Sequence, residues 1–136
     1  MEDIVKIGRV SAINYNTGMI QVLYEDLSDE DDVSDYMPFL NFNREYFPPA
    51  IGEMVAVFGM SNGTAMGVVG GGFWNEGNPP PESGANIYRK DFSKEIGEAF
   101  LKFAEGKLLL HAKDIILQTE NGEISAEELL KKVGES

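Results

Sequence analysis

The chain has no cysteine and only one histidine, His111, among its 136 residues. The first absence excludes disulfide staples, thiolate nucleophiles and cysteine-ligated zinc. The second leaves a single imidazole to serve as a base, which counts against a nucleophilic triad. Positive charge is also scarce: 11 Lys and Arg stand against 23 Asp and Glu, a formal net charge of -12. Affinity for phosphate backbones comes mainly from basic side chains releasing counterions, so nucleic acid is not an expected partner. The same acidity favours solubility and discourages adhesion to anionic membranes. No apolar run reaches the length of a membrane-spanning helix, and the start MEDIVKIG lacks the basic and apolar regions of a secretory signal. Synthesis in the cytoplasm is the expectation.

What the chain does have is short apolar segments separated by turn residues. Ile4 to Ala12 and Met19 to Tyr24 alternate in the manner of strands, and the turn Asn14 to Gly18 between them predicts a hairpin, with Gly18 supplying a positive φ. Glu25 to Asp35 is a block of like charge and reads as a solvated loop. Clustered carboxylates suit calcium, but a loop counted from Asp29 puts Ser34 where an EF-hand needs glycine and Leu40 where it needs glutamate. Tyr36 to Phe42 reads as a further strand. In PAIGEMVAVF, Pro49 and Gly52 predict a corner and Met54 to Phe58 a buried strand; Ser61 to Gly63 then turns the chain into a returning strand, Thr64 to Gly70. Five or six short strands from Ile4 to Phe73 suit a small closed barrel. Met54, Met60 and Met66 read as packing residues, and Phe73 and Trp74 as packing or interface residues, because no basic residue flanks them to form a nucleic-acid groove.

The character of the chain changes at Pro79, Pro80 and Pro81. The divisions read from sequence are a barrel domain over 1–78, a proline-containing linker over 79–86, a β region over 87–124 and a short helix or tail over 125–136. Two patterns compete within the third region. Ser93 to Glu105 reads as a helix, with Ser93 as N-cap, Ile96, Phe100 and Phe103 along one face and Gly106 past its end. It also reads with period two, placing Leu101 and Phe103 on one face, then Leu108, Leu110 and Ala112, then Ile115 and Leu117. LLLHAKDIILQT favours strands. Ser125, with Glu128 at the capping-box position and Gly134 at the end, predicts a short terminal helix.

The order Gly8-Arg9-Val10, then Pro49 to Phe58, then GVVGGGFWNEGNPPP over Gly67 to Pro81 resembles baseplate assembly protein V, the central spike of contractile phage tails, which is related to the type VI secretion spike. The resemblance spans roughly residues 4 to 90. It implies a mainly β protein: an N-terminal OB-fold barrel followed by a short, trimeric, intertwined β stalk, here with a short C-terminal helix. It also implies a homotrimer bound to baseplate hub and tail tube proteins, a separate tip protein as a further partner, and transient contact with a target membrane. Spikes of this family carry a tip iron held by a His-x-His pair from each chain. Here the local sequence is Leu-His-Ala-Lys around His111, and His111 falls on the face opposite Leu108 and Leu110, so no metal or other cofactor is expected.

The residues assigned to a trimer core are Leu101, Phe103, Leu108, Leu110, Ile115 and Leu117. Full burial of six such side chains contributes at most about 9–18 kcal/mol per chain, at roughly 1.5–3 kcal/mol each. An isolated ribbon leaves one face wet, whereas three chains about an axis turn those faces inward. The expected role is therefore structural and not enzymatic: a spike that nucleates a baseplate and leads the tube through an envelope, assembled into a phage tail or tail-like particle. The alternative is an OB-fold binding module for single-stranded nucleic acid or oligosaccharide, which rests on fold analogy.

Overall fold

A computed structural model describes residues 4–25, 32–59 and 67–135. Among them are ten strands and one helix: β1 (Val5–Asn14), β2 (Met19–Tyr24), β3 (Asp32–Val33), β4 (Met54–Gly59), β5 (Gly67–Gly72), β6 (Tyr88–Asp91), β7 (Phe100–Ala104), β8 (Lys107–His111), β9 (Ile116–Thr119), β10 (Gly122–Ser125) and α1 (Ala126–Gly134). The protein is mainly β with a short C-terminal helix. It divides into two compact units, Met1–Pro79 and Pro80–Ser136, and the division falls inside the proline run.

The first unit is a five-stranded sheet in the order β3-β2-β1-β4-β5. The β1–β2 hairpin turns where the sequence places it: Gly18 has φ +77° and donates its N–H to Asn14 O at 2.7 Å. Alternation along the strands turns Val10, Ile20, Val22, Val55, Val57 and Val69 inward, and Met37 completes a core that is at most 4% exposed. Backbone approach is tight at Gly8. A Cβ there would overlap the Val22 side chain and stand 2.8 Å from Leu23 O.

Three expectations for this unit are corrected. Within the block read as a solvated loop, Asp32 and Val33 form the short strand β3, paired with Tyr24 and Leu23 of β2 and both exposed. Among the described residues no sheet closes into a barrel, and Tyr36 to Phe42 does not form a strand. Met37 exchanges both backbone hydrogen bonds with Ile20 on β2, at 2.8 Å each; Val69 N donates to Pro38 O at 2.9 Å, and Leu40 N to Val69 O at 3.0 Å. Pro38 has no N–H to offer, so this segment links β2 and β5 through isolated bridges rather than a ladder. Beyond it, Asn43 and Arg44 take φ of 56° and 66° and the chain turns back, with Glu45 N donating to Phe42 O.

The second unit contains a three-stranded antiparallel sheet, β6-β7-β8, and a separate two-stranded one, β9-β10. The structure resolves the competition over 93–105 in favour of a strand that starts late. Ser93 does act as a cap-like residue, its Oγ accepting from Glu95 N at 3.1 Å, but Gly97 at φ +87° breaks any helical run before Phe100 begins β7. The terminal helix forms as its signals predict: Ser125 Oγ accepts from Glu128 N at 3.1 Å, acidic Glu127 and Glu128 fill the first turn, and Lys131 and Lys132 the last.

Candidate oligomer interface

Because residues directly opposite in an antiparallel pair share a face, the register of β6-β7-β8 sorts its side chains. The pairs Tyr88↔Phe103, Lys90↔Leu101, Leu101↔Leu110 and Phe103↔Leu108 put Tyr88, Lys90, Leu101, Phe103, Leu108 and Leu110 on one face. Four of the six residues assigned to a trimer core, Leu101, Phe103, Leu108 and Leu110, thus lie side by side on two neighbouring strands. Leu101 is half-buried; Leu108 is 71% exposed and Phe103 and Leu110 each 49%. Tyr88 joins them although sequence reasoning passed it over, because the adjacent charges Arg89, Lys90 and Asp91 hide the alternation.

Ile115 and Leu117 stand elsewhere. The chain bends after His111, and Leu117 lies on β9 opposite Ile124 of β10, in the two-stranded sheet. Ile115 precedes β9, and its carbonyl accepts from Ala126 N at 2.7 Å, joining the strand start to the start of α1. The period-two pattern is interrupted by Lys113 and Asp114, and the ladder ends there as well: β8 and β9 belong to separate sheets.

The other face of β6-β7-β8 is organised by charge. Arg89 makes a two-pronged contact to Asp91, Nε to Oδ1 at 2.8 Å and Nη2 to Oδ2 at 3.1 Å, and donates through Nη1 to Glu82 Oε1 at 3.0 Å. Lys102 Nζ donates to the other Glu82 oxygen at 2.8 Å. The guanidinium also lies 3.9 Å above the Phe100 ring, whose centroid is 5.1 Å from that of His111. Lys102 first, then Arg89, holds the Glu82 carboxyl below its ordinary range. Asp91, then Glu82, holds the Arg89 guanidinium more firmly protonated than usual. Glu82 follows Pro79, Pro80 and Pro81 directly in a stretch read from sequence only as linker, and nothing local in the sequence signals its partners, seven and 20 residues away.

The remaining sequence candidates are dispersed. His111 lies on the face opposite Leu108 and Leu110, and among the described residues no cluster of three or more His, Asp or Glu is disposed to hold a metal ion. Most of the acidic block weighed for calcium, residues 26–31, lies outside the described residues, as do Met60 and Met66. Glu25 pairs with Arg9 at 3.0 Å. Phe73 is half-buried and Trp74 is 64% exposed, ahead of a turn closed by Asn75 and Asn78. The expectation that no nucleophile-elbow pattern occurs is corrected by the sequence itself, since Gly59, Ser61 and Gly63 have that spacing; residues 60–66 lie outside the described residues, but β4 and β5 on either side pair antiparallel, whereas an elbow joins a strand to a helix. No helix among the described residues is long and apolar enough to cross a membrane. No protein-family model matches the chain, and no curated protein does.

Proposed function

We propose that this chain is the structural central spike of a contractile tail or injection particle, a homotrimer that nucleates baseplate assembly and leads the tube into a target envelope. The observation that carries the reading is the uncovered apolar face of β6-β7-β8, in a unit with no buried residue among those described. Contiguous exposed apolar surface marks an interaction site, and a face this rich in leucine and aromatic side chains suits permanent association with copies of itself. Three chains arranged about an axis turn their Leu101, Phe103, Leu108 and Leu110 inward, and Ile115 and Leu117, although outside that sheet, are assigned to the same core.

In this reading the first unit is an OB-type domain whose opposite strands are strapped by Met37 to Leu40, and it meets the hub and tube. The second unit is the stalk, with a separate tip protein as a further partner. Its action is mechanical. Sheath contraction drives the assembly forward, and interlocked β ladders resist the load because displacing one strand breaks hydrogen bonds to its neighbours. No catalytic step, cofactor or nucleic acid enters, and contact with the target membrane is transient.

Leu110→Asp tests the reading at the centre of the face. The expected outcome is a folded first unit and loss of the trimer, read by light scattering and native mass spectrometry. A wild-type chain that is a stable monomer at micromolar concentration overturns the proposal, as does a Leu110→Asp chain that remains trimeric.

A further inference from the structure

The charged face of β6-β7-β8 carries an arrangement that the spike reading does not require. Residues 80–87, which run from the last two prolines to β6, have no place in a sheet, yet Glu82 is bonded through both carboxylate oxygens to two strands: Arg89 on β6 and Lys102 on β7. Only 23% of its side chain is exposed, and 13% of that of Arg89. A second contact shapes the same stretch. Gly84 passes so close to Ile87 that a Cβ on it would stand 2.7 Å from Ile87 Cδ1, and the chain turns at Ala85 and Asn86 before entering β6.

We propose that residues 80–87 form a strap and that Glu82 is its fastening residue, locking the chain that leaves the proline run onto the charged face of β6-β7-β8 by bridging Arg89 and Lys102. The carboxylate is the natural fastener. Its two oxygens accept from two different strands, and Arg89 is already oriented by the Asp91 fork and the Phe100 ring, so little freedom remains to be lost when Glu82 arrives. The charges balance, with Arg89 and Lys102 against Glu82 and Asp91. From β8, His111 and Lys107 lie on the same face, His111 against the Phe100 ring. The strap leaves the Leu108 and Leu110 face untouched, so it does not rest on trimerisation.

The test uses the full-length chain, isotope-labelled, with backbone order parameters measured by NMR. In the wild type Ser83, Gly84, Asn86 and Ile87 are expected near the rigid value of about 0.85; in E82Q they are expected to fall below about 0.6 while cross-strand contacts of Tyr88 with Phe103 and of Leu101 with Leu110 persist. Wild-type values already in the flexible range, or E82Q values equal to wild type, overturn the proposal. Should E82Q lose the sheet, acid titration of the wild type decides. The carboxyl carbon of Glu82 is expected to titrate below the usual carboxylate range, and the strap amides to shift and loosen with the same midpoint; amides that stay rigid after Glu82 is protonated overturn it. Light scattering on the same samples separates the two proposals: a loosened strap in an intact oligomer supports the strap, and a monomeric wild type with a rigid strap overturns only the spike reading.

Discussion

The two units of this protein are stabilised in different ways. In Met1–Pro79, seven side chains from β1, β2, β4, β5 and the Met37 segment form a core, and Ile20, Val22, Val55 and Val69 are completely withdrawn from solvent. In Pro80–Ser136 no described residue is buried, although backbone ladders, a capped helix and a partly shielded charge network are all present. Hydrogen-bonded ladders make a shape, but their net contribution is modest because the unfolded chain bonds equally to water. Hydrophobic stabilisation requires a cover. The first unit supplies its own; the second presents one face to whatever provides it.

Matched truncations sharpen that contrast most. Ile20→Ala is expected to cost about 2–5 kcal/mol, the range for deleting a large aliphatic side chain from a packed core, at any protein concentration. Leu108→Ala, at 71% exposed, is expected to be nearly neutral in a single chain, within about 0.5 kcal/mol, and to become costly only under conditions where the chains associate. Denaturant midpoints across a concentration series read both. A Leu108→Ala cost that does not change with concentration breaks the comparison.

Gly8→Ala probes the density of the first unit from the opposite direction. The added methyl meets the Val22 side chain and Leu23 O, and forcing it in is expected to cost about 1–3 kcal/mol. The same substitution at Gly106, where a Cβ meets no neighbour, tests backbone conformation alone, because φ there is +75°. Comparing the two by thermal unfolding separates crowding from strain.

Acid should act on the second unit through Glu82. Its carboxyl titrates below its ordinary value of 4.5 when folded, because Lys102 and Arg89 favour the charged form. The unfolded chain therefore binds more protons in that window, and stability rises with pH. The contribution is fully present above about the ordinary carboxylate pKa and is lost as pH falls through the depressed folded one. The unfolding midpoint of the second unit is expected to fall with acidification, and E82Q to remove that part of the dependence. An unchanged pH profile in E82Q denies the network any role in folding stability.

These contrasts also explain what could be read from sequence. The β1–β2 hairpin, β4 and α1 were legible because alternation, turn glycine and capping serine are local signals, and Val22, Val55 and Ser125 act where those signals place them. Closure was not, because it depends on how Met37 and Leu40 meet distant strands and on the missing N–H of Pro38. The apolar face was legible in Leu101, Phe103, Leu108 and Leu110, whose alternation survives in β7 and β8. The break at Lys113 and Asp114 was legible too, since charge interrupts the alternation there, but the pairing of Leu117 with Ile124 beyond it was not, because it depends on where β10 folds back. Glu82 was invisible, since a carboxylate after three prolines looks like solvated linker until Arg89 and Lys102 are brought to it by the sheet.

The smallest expected effect lies at the tip of the β7–β8 hairpin. Ala104 and Lys107 pair, leaving a two-residue loop in which Glu105 has φ 53° and Gly106 φ 75°. Positive φ at both positions belongs to a type I′ turn, whose twist matches that of the flanking strands and whose preferred sequence is Asn-Gly. Glycine suits its position; glutamate does not, and left-handed backbone costs an ordinary residue roughly 1–2 kcal/mol. Asparagine tolerates that conformation better, so Glu105→Asn is expected to stabilise the hairpin by about 0.5 kcal/mol, a fraction of that cost. The gain should appear in the unfolding midpoint of the second unit and leave the first unit unchanged. Since the turn sits at the end of the strands that carry Phe103 and Leu108, a stiffer turn also holds those side chains in register before any partner covers them. The effect of Glu105→Asn on association should therefore share the sign of its effect on stability.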